Sequence, residues 1–400
     1  MAEPGTTTRG ARQSSLRTGN LGLVLRTVCA AAEPPSRADV AAATGMTRAT
    51  AARLVDELVA GGLLAETERG ATGRRGRPAT PLCPGGRLAA LGLHVDAGRL
   101  AVRVVDLAGR VLAERLVDGD WVDSDPRTTL EQVGGLAAAV LRYVPEGVRL
   151  VGAGLALPGI VDVDRGVLLR APNLGWRDVR PADVLAAHLP AELHPVLGNE
   201  ADLAARTVAE SAPGRAGAHR DLLYVSGQIG VGGAVVLDGR VMGGSAGWAG
   251  EVGHVCVDPD GPVCPCGSTG CLERYAGRSA VLAAAGLPAG GDPGELLARA
   301  AAGRAAAVGA LAGARRGLAV ALAGVLNVLD VPTVVLGGFL GGLGEAFCRE
   351  LEDELAARVL SARWRRPRVE AAGGDPAPAA TGAALRALSG VLADPVRWLA

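Results

Sequence analysis

The chain has 400 residues, and 49% apolar content with 20% charged residues excludes a disordered or fibrous protein and predicts two or three globular domains. Formal charge is zero, yet residues 1 to 87 hold twelve arginines against seven acidic residues, so a basic head precedes an acidic body. No run of about eighteen apolar residues is free of charges and turn formers, and Met1 to Asn20 is polar, which predicts a cytoplasmic protein without a signal peptide or a membrane partner. In that compartment Cys29, Cys83, Cys256 and Cys348 stay reduced.

Residues 1–15 are read as a disordered tail and residues 16–82 as a winged helix-turn-helix. Apolar residues recur at helical spacing from Leu21 to Ala32, Pro34 and Pro35 stop that helix, and Ser36 with Asp39 three residues on signals a new helix start. A short helix over Arg37 to Thr44, a turn at Gly45-Met46, an N-cap at Thr47 and a helix from Arg48 to Ala60 follow. The last turns Ala51, Leu54, Val55 and Leu58 inward. This order lays a recognition helix in a DNA major groove, where Thr47, Arg48, Thr50 and Arg53 meet phosphates or base edges. After Gly61-Gly62, a strand at Leu63-Leu64 leads into an arginine- and glycine-rich stretch, read as a wing whose tip presents Arg74, Arg75 and Arg77. Arg75-Gly76-Arg77-Pro78 suits the narrow minor groove of A·T-rich DNA. A small helical interaction domain with a solvated charged loop is the alternative. Residues 83–90 are taken as a linker.

The body opens with two alternating runs, Leu91 to Val95 and Leu100 to Val105, joined by Asp96-Ala97-Gly98-Arg99 as a hairpin. Val148 to Leu157 reads as a strand ending in Pro158-Gly159. Asn199 and Glu200 precede a helix through Glu210, either capping it or facing a ligand. Ser226 to Gly233 is a glycine-rich loop between strands Leu222–Val225 and Ala234–Leu237. Then comes Glu251-Val-Gly-His254, nine residues, and Cys264-Pro-Cys266-Gly-Ser-Thr-Gly-Cys271-Leu-Glu273. His254, Cys264, Cys266 and Cys271 form a Cys3His donor set, which predicts a structural zinc ion. Gly267 and Gly270 supply the sharp turns, and no ligand position is left for water. Free thiols are the alternative; a disulfide is disfavoured because Cys264 and Cys266 are too close and one cysteine is left over.

The run Glu-x-Gly-His followed by Cys-x-Cys-Gly-x-x-Gly-Cys-x-Glu resembles the signature of the ROK family of sugar-dependent transcriptional repressors and sugar kinases. The likeness extends over roughly residues 20 to 395. It implies an α/β chain with an actin-like (ribonuclease H-like) two-lobed fold, lobe 1 over 91–205 and lobe 2 over 206–400, the C-terminal helix free to return to lobe 1. It implies a sugar pocket of Gly159, Asn199, Glu200, Glu251, His254 and Glu273, with one ring nitrogen of His254 on zinc and the other toward a sugar hydroxyl. Alternatively, Glu251 and Glu273 only support the zinc ligands. In the family's kinases the first hairpin turn reads Asp-x-Gly-Gly-Thr; here Arg99 and Leu100 replace the second glycine and the threonine. The kinase loop Gly-Thr-Gly becomes Gln228-Ile229-Gly230. Glu200 stands where the kinases have an aspartate as general base, one methylene longer, and Asp202 stands where they have asparagine.

These features lead to the expectation of a sugar-responsive regulator, a repressor of carbohydrate-utilisation genes, binding double-stranded operator DNA as a homodimer or homotetramer. An unphosphorylated or phosphorylated sugar in the interlobe cleft is the expected effector, with no catalysis. The first alternative is an ATP-dependent hexose kinase with an accessory DNA-binding head; an architectural DNA-binding protein would need no sugar pocket.

Overall fold

The computed structural model describes residues 7–67 and 80–399, with side chains from residue 16. The head is built from α1 (Thr7–Ala30), α2 (Arg37–Thr44) and α3 (Arg48–Ala60). The two helices of the helix-turn-helix have the bounds their capping residues predict. Ser36 Oγ accepts the Asp39 N–H at 3.2 Å while the Asp39 carboxylate accepts the Ser36 N–H at 2.9 Å, a reciprocal capping box. Gly45 ends α2 at a φ of 69°, and Thr47 Oγ1 accepts the Thr50 N–H at 3.2 Å to start α3. Helix α1 begins at Thr7, inside the segment read as a tail; once the apolar turns from Leu21 to Val28 are packed, adding polar turns upstream costs little. Strands β1 (Leu64–Glu66) and β2 (Leu82–Pro84) pair antiparallel as the base of the wing. The tip, with Arg74, Arg75 and Arg77, lies outside the described residues. Because β2 runs to Pro84 and the next strand starts at Leu88, the expected linker is mostly strand.

The first sheet contains β3 (Leu88–Asp96), β4 (Arg99–Asp106), β5 (Val111–Asp118), β6 (Arg149–Leu157) and, after a small three-stranded sheet, β10. Helix α4 (Pro126–Leu141) covers one face. The small sheet is β7 (Ile160–Asp162), β8 (Val167–Ala171) and β9 (Trp176–Val179), followed by α5 (Pro181–Leu185) and β10 (Pro195–Asn199). Helix α6 (Glu200–Ala209) leads through the hairpin β11 (Glu210–Ala212) and β12 (Arg215–Ala216) to the second sheet. That sheet holds β13 (Leu222–Gly227), β14 (Val231–Leu237), β15 (Arg240–Val241), β16 and β17. Between β15 and β16 lie the cysteine-rich segment and α7 (Glu273–Ala276), α8 (Arg278–Ala284), α9 (Pro293–Ala301) and α10 (Ala305–Leu329). The chain continues through β16 (Thr333–Gly337), α11 (Gly338–Gly342), α12 (Gly344–Ala356), β17 (Arg368–Ala371) and α13 (Pro378–Ala393).

Both sheets share one topology, an antiparallel three-strand meander extended on its first strand by two parallel strands. The helices that follow the last strands are exchanged: α6 leaves the first sheet and packs mainly on β14 of the second, while α13 leaves the second and packs on β3 and β6 of the first. Helices α6 and α13 touch each other, and a Cβ on Gly382 would lie 1.8 Å from the Leu203 carbonyl oxygen, so only glycine permits this approach. Ala156, Leu203, Tyr224, Val335 and Ala383 form the core between the lobes.

The head shares a core with the first lobe. Leu21, Val24, Leu25 and Val28 of α1 pack with Leu385, Leu388, Val391 and Leu392 of α13 and with Ala90 and Val105 of the sheet. Helix α10 is long and apolar enough to cross a membrane by composition, but Arg315 pairs with Glu350 and Glu354 at mid-helix, and Ala314, Leu318 and Leu322 are buried in the core of the second lobe. It is a core helix.

Candidate functional site

The ends of β3 and β6, the start of α6, the β13–β14 loop and the cysteine-rich segment converge on one cleft between the lobes. Asp96, Gly159, Asn173, Asn199, Glu200, Gln228, Glu251, His254 and Glu273 line it, so every residue expected to contact sugar faces the same space. Four of these are carboxylates, and among the described residues no arginine lines the cleft. Asn199 has a structural task as well. Its Oδ1 accepts the N–H groups of Ala201 and Asp202 at 2.8 and 3.2 Å, capping α6, and its amide donates to the Gly159 carbonyl at 3.0 Å. The capping alternative is therefore realised at Asn199, which leaves little of its polarity for a ligand.

Glu200 Oε2 lies 2.8 Å from Nε2 of His94, a buried residue of β3 that the sequence reading passed over. Asp96, two residues on, is buried too. Burial and then the neighbouring Glu200 push its carboxyl up to about 7, against the opposing effect of His94. Burial chiefly raises Glu251 above the ordinary carboxylate range, opposed by His254 and assisted by Glu273 and Glu200. A lone histidine inside Leu91-Gly-Leu-His94-Val reads as core; its i, i+2 relation to Asp96 is the one signal that placed it on the cleft side.

His254, Cys264, Cys266 and Cys271 come together, their donor atoms all within 4.8 Å of one another. Cys266 Sγ is 3.7 Å from Cys271 Sγ, and Cys264 Sγ is 3.9 Å from His254 Nδ1. Tetrahedral bonds of about 2.0–2.3 Å demand donor separations of about 3.5–3.8 Å, so the set could hold a metal ion. Gly270, at a φ of 66°, makes the turn; a Cβ there would sit 1.6 Å from the Asp258 carbonyl oxygen. Cys264 donates its S–H to Glu273 Oε1 at 2.8 Å, and burial followed by this carboxylate pushes the thiol up, so a thiolate at this position requires a cation. His254 turns Nδ1 to the thiols and Nε2 toward Glu251 Oε2 at 3.8 Å, linking the cluster to the cleft.

Three of the residues that depart from the kinase loops, Arg99, Leu100 and Ile229, are engaged elsewhere. Arg99 donates to Asp118 Oδ1 at 2.6 Å and to the Pro376 carbonyl at 2.8 Å, strapping β4 to the segment that enters α13. Leu100 is buried in the core of the first lobe, and Ile229, from the second lobe, packs against that same core. In the head, Thr47, Arg48 and Arg53 are exposed and Thr50 is half-buried. Thr47 Oγ1 is also 2.9 Å from Thr50 Oγ1, so these hydroxyls are partly used in capping. Among the described residues neither Arg48 nor Arg53 has an ion pair, whereas Arg37 is spent on Asp56 and Glu66, tying α2 to α3 and β1.

A helix-turn-helix head fused to two sheets of repeated topology, with exchanged helices and a thiol cluster beside the cleft, defines a nucleic-acid-binding head on an actin-like sugar-kinase body. The family model described as the ROK family matches residues 90–389, and this chain belongs to that family. The IclR helix-turn-helix domain matches residues 22–68. A xylose repressor of Caldicellulosiruptor bescii is 24% identical over 351 residues, which cover 84% of this chain and 87% of that one. A crystal structure of a ROK family transcriptional regulator, a homolog of the E. coli MLC protein, has the same fold. Its TM-score is 0.74 at 23% identity, covering 96% of this chain and 99% of that one. A ROK family glucokinase from Streptomyces griseus, solved with glucose and AMPPNP, matches with a TM-score of 0.62 at 25% identity, over 74% of this chain and 98% of that one.

Proposed function

We propose that the protein is a sugar-responsive, DNA-binding transcriptional regulator, a repressor of carbohydrate-utilisation genes, whose cleft binds a sugar without phosphorylating it. The observation that carries this is the division of labour in one chain. A capped helix-turn-helix presents Arg48 and Arg53, the cleft gathers Glu200, Glu251, His254 and Glu273, and Arg99, Leu100 and Ile229, which stand where kinases of the family have glycines and hydroxyls, are held by other contacts. Thr47, Arg48, Thr50 and Arg53 would meet operator DNA, aided by Arg74, Arg75 and Arg77 of the wing. A homodimer would set two heads on an inverted repeat. Gly159 and Asn199 shape the pocket while Glu200, Glu251, His254 and Glu273 accept or donate to hydroxyls. With four lining carboxylates and no arginine among the described lining residues, an unphosphorylated sugar suits this cleft better than its phosphate. His254, Cys264, Cys266 and Cys271 suit zinc, which would fix the imidazole that faces the cleft.

In this reading residues 16–82 are the head, and residues 91–205 and 206–400 supply the two lobes, with α13 returned to the first. Such a protein works in the cytoplasm, beside the chromosome. The test is a titration of operator binding, with and without a sugar found by thermal-shift screening of monosaccharides and their phosphates. The sugar is expected to shift the wild-type curve, and Glu251→Ala to abolish that shift while leaving DNA affinity nearly intact. Identical wild-type curves, or sugar phosphorylation with ATP at about 1 per second or faster, would refute the reading.

A further inference from the structure

His94 and Asp96 point to the same side of β3, toward the first turn of α6. His94 is only 6% exposed, with Nε2 2.8 Å from Glu200 Oε2 and Nδ1 without a partner among the described residues. Glutamate is one methylene longer than aspartate, and here that extra reach ends on an imidazole of the sheet. Glu200 Oε1 has no hydrogen-bond partner among the described residues, on a side chain that lines the cleft. A long, rotamer-rich side chain at the mouth of a pocket is thereby fixed before any ligand arrives, which lowers the ordering cost of binding.

We propose that His94 is a positioning residue of the effector pocket: by holding Oε2 of Glu200 it presents Oε1 as a fixed acceptor for one sugar hydroxyl. The position that serves proton transfer in kinases of this family thus serves recognition. This rests on the sugar-pocket reading above. The charged groups around the pair are Asp96 on the same strand, Arg99 on β4 and, on the Glu200 side, Glu251, with the Tyr224 hydroxyl also near. Asp96 titrates at about 7, raised by burial and Glu200 and opposed by His94, so removing the imidazole raises Asp96 further.

The experiment is isothermal titration of the full-length protein with D-glucose, D-xylose and D-mannose across pH 5.5 to 8.5. It compares wild type, His94→Ala, His94→Gln, Glu200→Ala and the His94→Ala/Glu200→Ala double variant. His94→Ala is expected to weaken the sugar that binds by about tenfold or more, in line with loss of a charge-assisted hydrogen bond. His94→Gln, whose amide nitrogen reaches the Nε2 position, is expected within about threefold of wild type, with its pH midpoint of affinity shifted upward. In the Glu200→Ala background, His94→Ala should add nothing. Equal sugar affinity in wild type and His94→Ala, with only the melting temperature lowered, would make the contact a structural tie and overturn the proposal. So would additive losses in the double variant. Failure of all three sugars and a wider monosaccharide panel to bind wild type would instead remove the sugar-pocket reading, and this inference with it.

Discussion

Asp202, in the first turn of α6, occupies a position where the kinases of the family have asparagine, and its Oδ1 is buried without a hydrogen-bond partner among the described residues. Burial first, and Glu251 second, push its carboxyl up to about 7, with Arg386 opposing. Because the folded value lies above the ordinary 3.8, the group contributes stability that is fully present below that value and lost as pH rises through about 7. Asp202→Asn removes the charge while keeping the shape. The variant should be more stable than wild type by about 4 kcal/mol at pH 8, with the advantage fading as pH falls toward about 4. Urea unfolding of both proteins across that range measures this; an advantage independent of pH would assign the effect to something other than the buried charge. At this scale the sequence was most informative where a residue type has few uses. The clustering of His254, Cys264, Cys266 and Cys271 was legible because three thiols and an imidazole at that spacing have few other uses, whereas Glu200, Glu251 and Glu273 came from the family resemblance and not from spacing. His94 was not legible, because a histidine between leucine and valine looks like any buried strand residue until the helix facing it is known.

The cysteine-rich segment between β15 and α7 has little regular structure, so its shape depends on close turns and on the donor cluster. We expect about one zinc ion per chain, and a strong chelator should lower the melting temperature because the ion's binding energy contributes to folding. Elemental analysis and thermal unfolding with and without chelator measure both. Zinc retained by the Cys266→Ser/Cys271→Ser variant would show the ion to be held elsewhere. Elements whose ends are marked chemically had the bounds the sequence predicted: Ser36, Gly45 and Thr47 fix α2 and α3 through caps that act within three residues. Strands β3 and β4 followed from alternation around a tight turn. The return of α13 to the first lobe was expected only from the family resemblance, and the crossing of α6 to the second was not read, since an alanine-rich helix carries no local sign of which sheet it covers. The helical part of the tail escaped notice for a related reason: its stability comes from packing farther along α1, not from its own polar residues.

Across the whole molecule, one continuous segment joins the cleft to the head. Asn199 and Glu200 begin α6, its other end enters β11, and Arg215 of β12 donates to the Cys29 carbonyl at the end of α1, at 3.2 Å. A movement of α6 on sugar binding therefore has a short route, along the chain to β12 and then through one hydrogen bond, to the helix that supports the recognition helix. Arg215→Ala should leave sugar affinity and operator affinity nearly unchanged while reducing the effect of one on the other by about 1 kcal/mol, roughly fivefold. Operator titrations with and without saturating sugar measure the coupling; an undiminished sugar effect would exclude this route.

The core that α1 shares with α13 also bears on how operator specificity can change. Leu21, Val24, Leu25 and Val28 share one buried cluster with Leu385, Leu388, Val391 and Leu392 of α13 as well as with Leu54, Val55 and Leu58 of α3, so a head grafted onto a foreign body would lose part of the cover of α1 and meet a surface it does not match. Arg48 and Arg53 stand outside that constraint, exposed on α3 and without an ion pair among the described residues. Divergence of target sites among relatives is then cheaper by substitution along the outer face of α3 than by recombination of whole heads, and an engineer retargeting the protein would face the same choice.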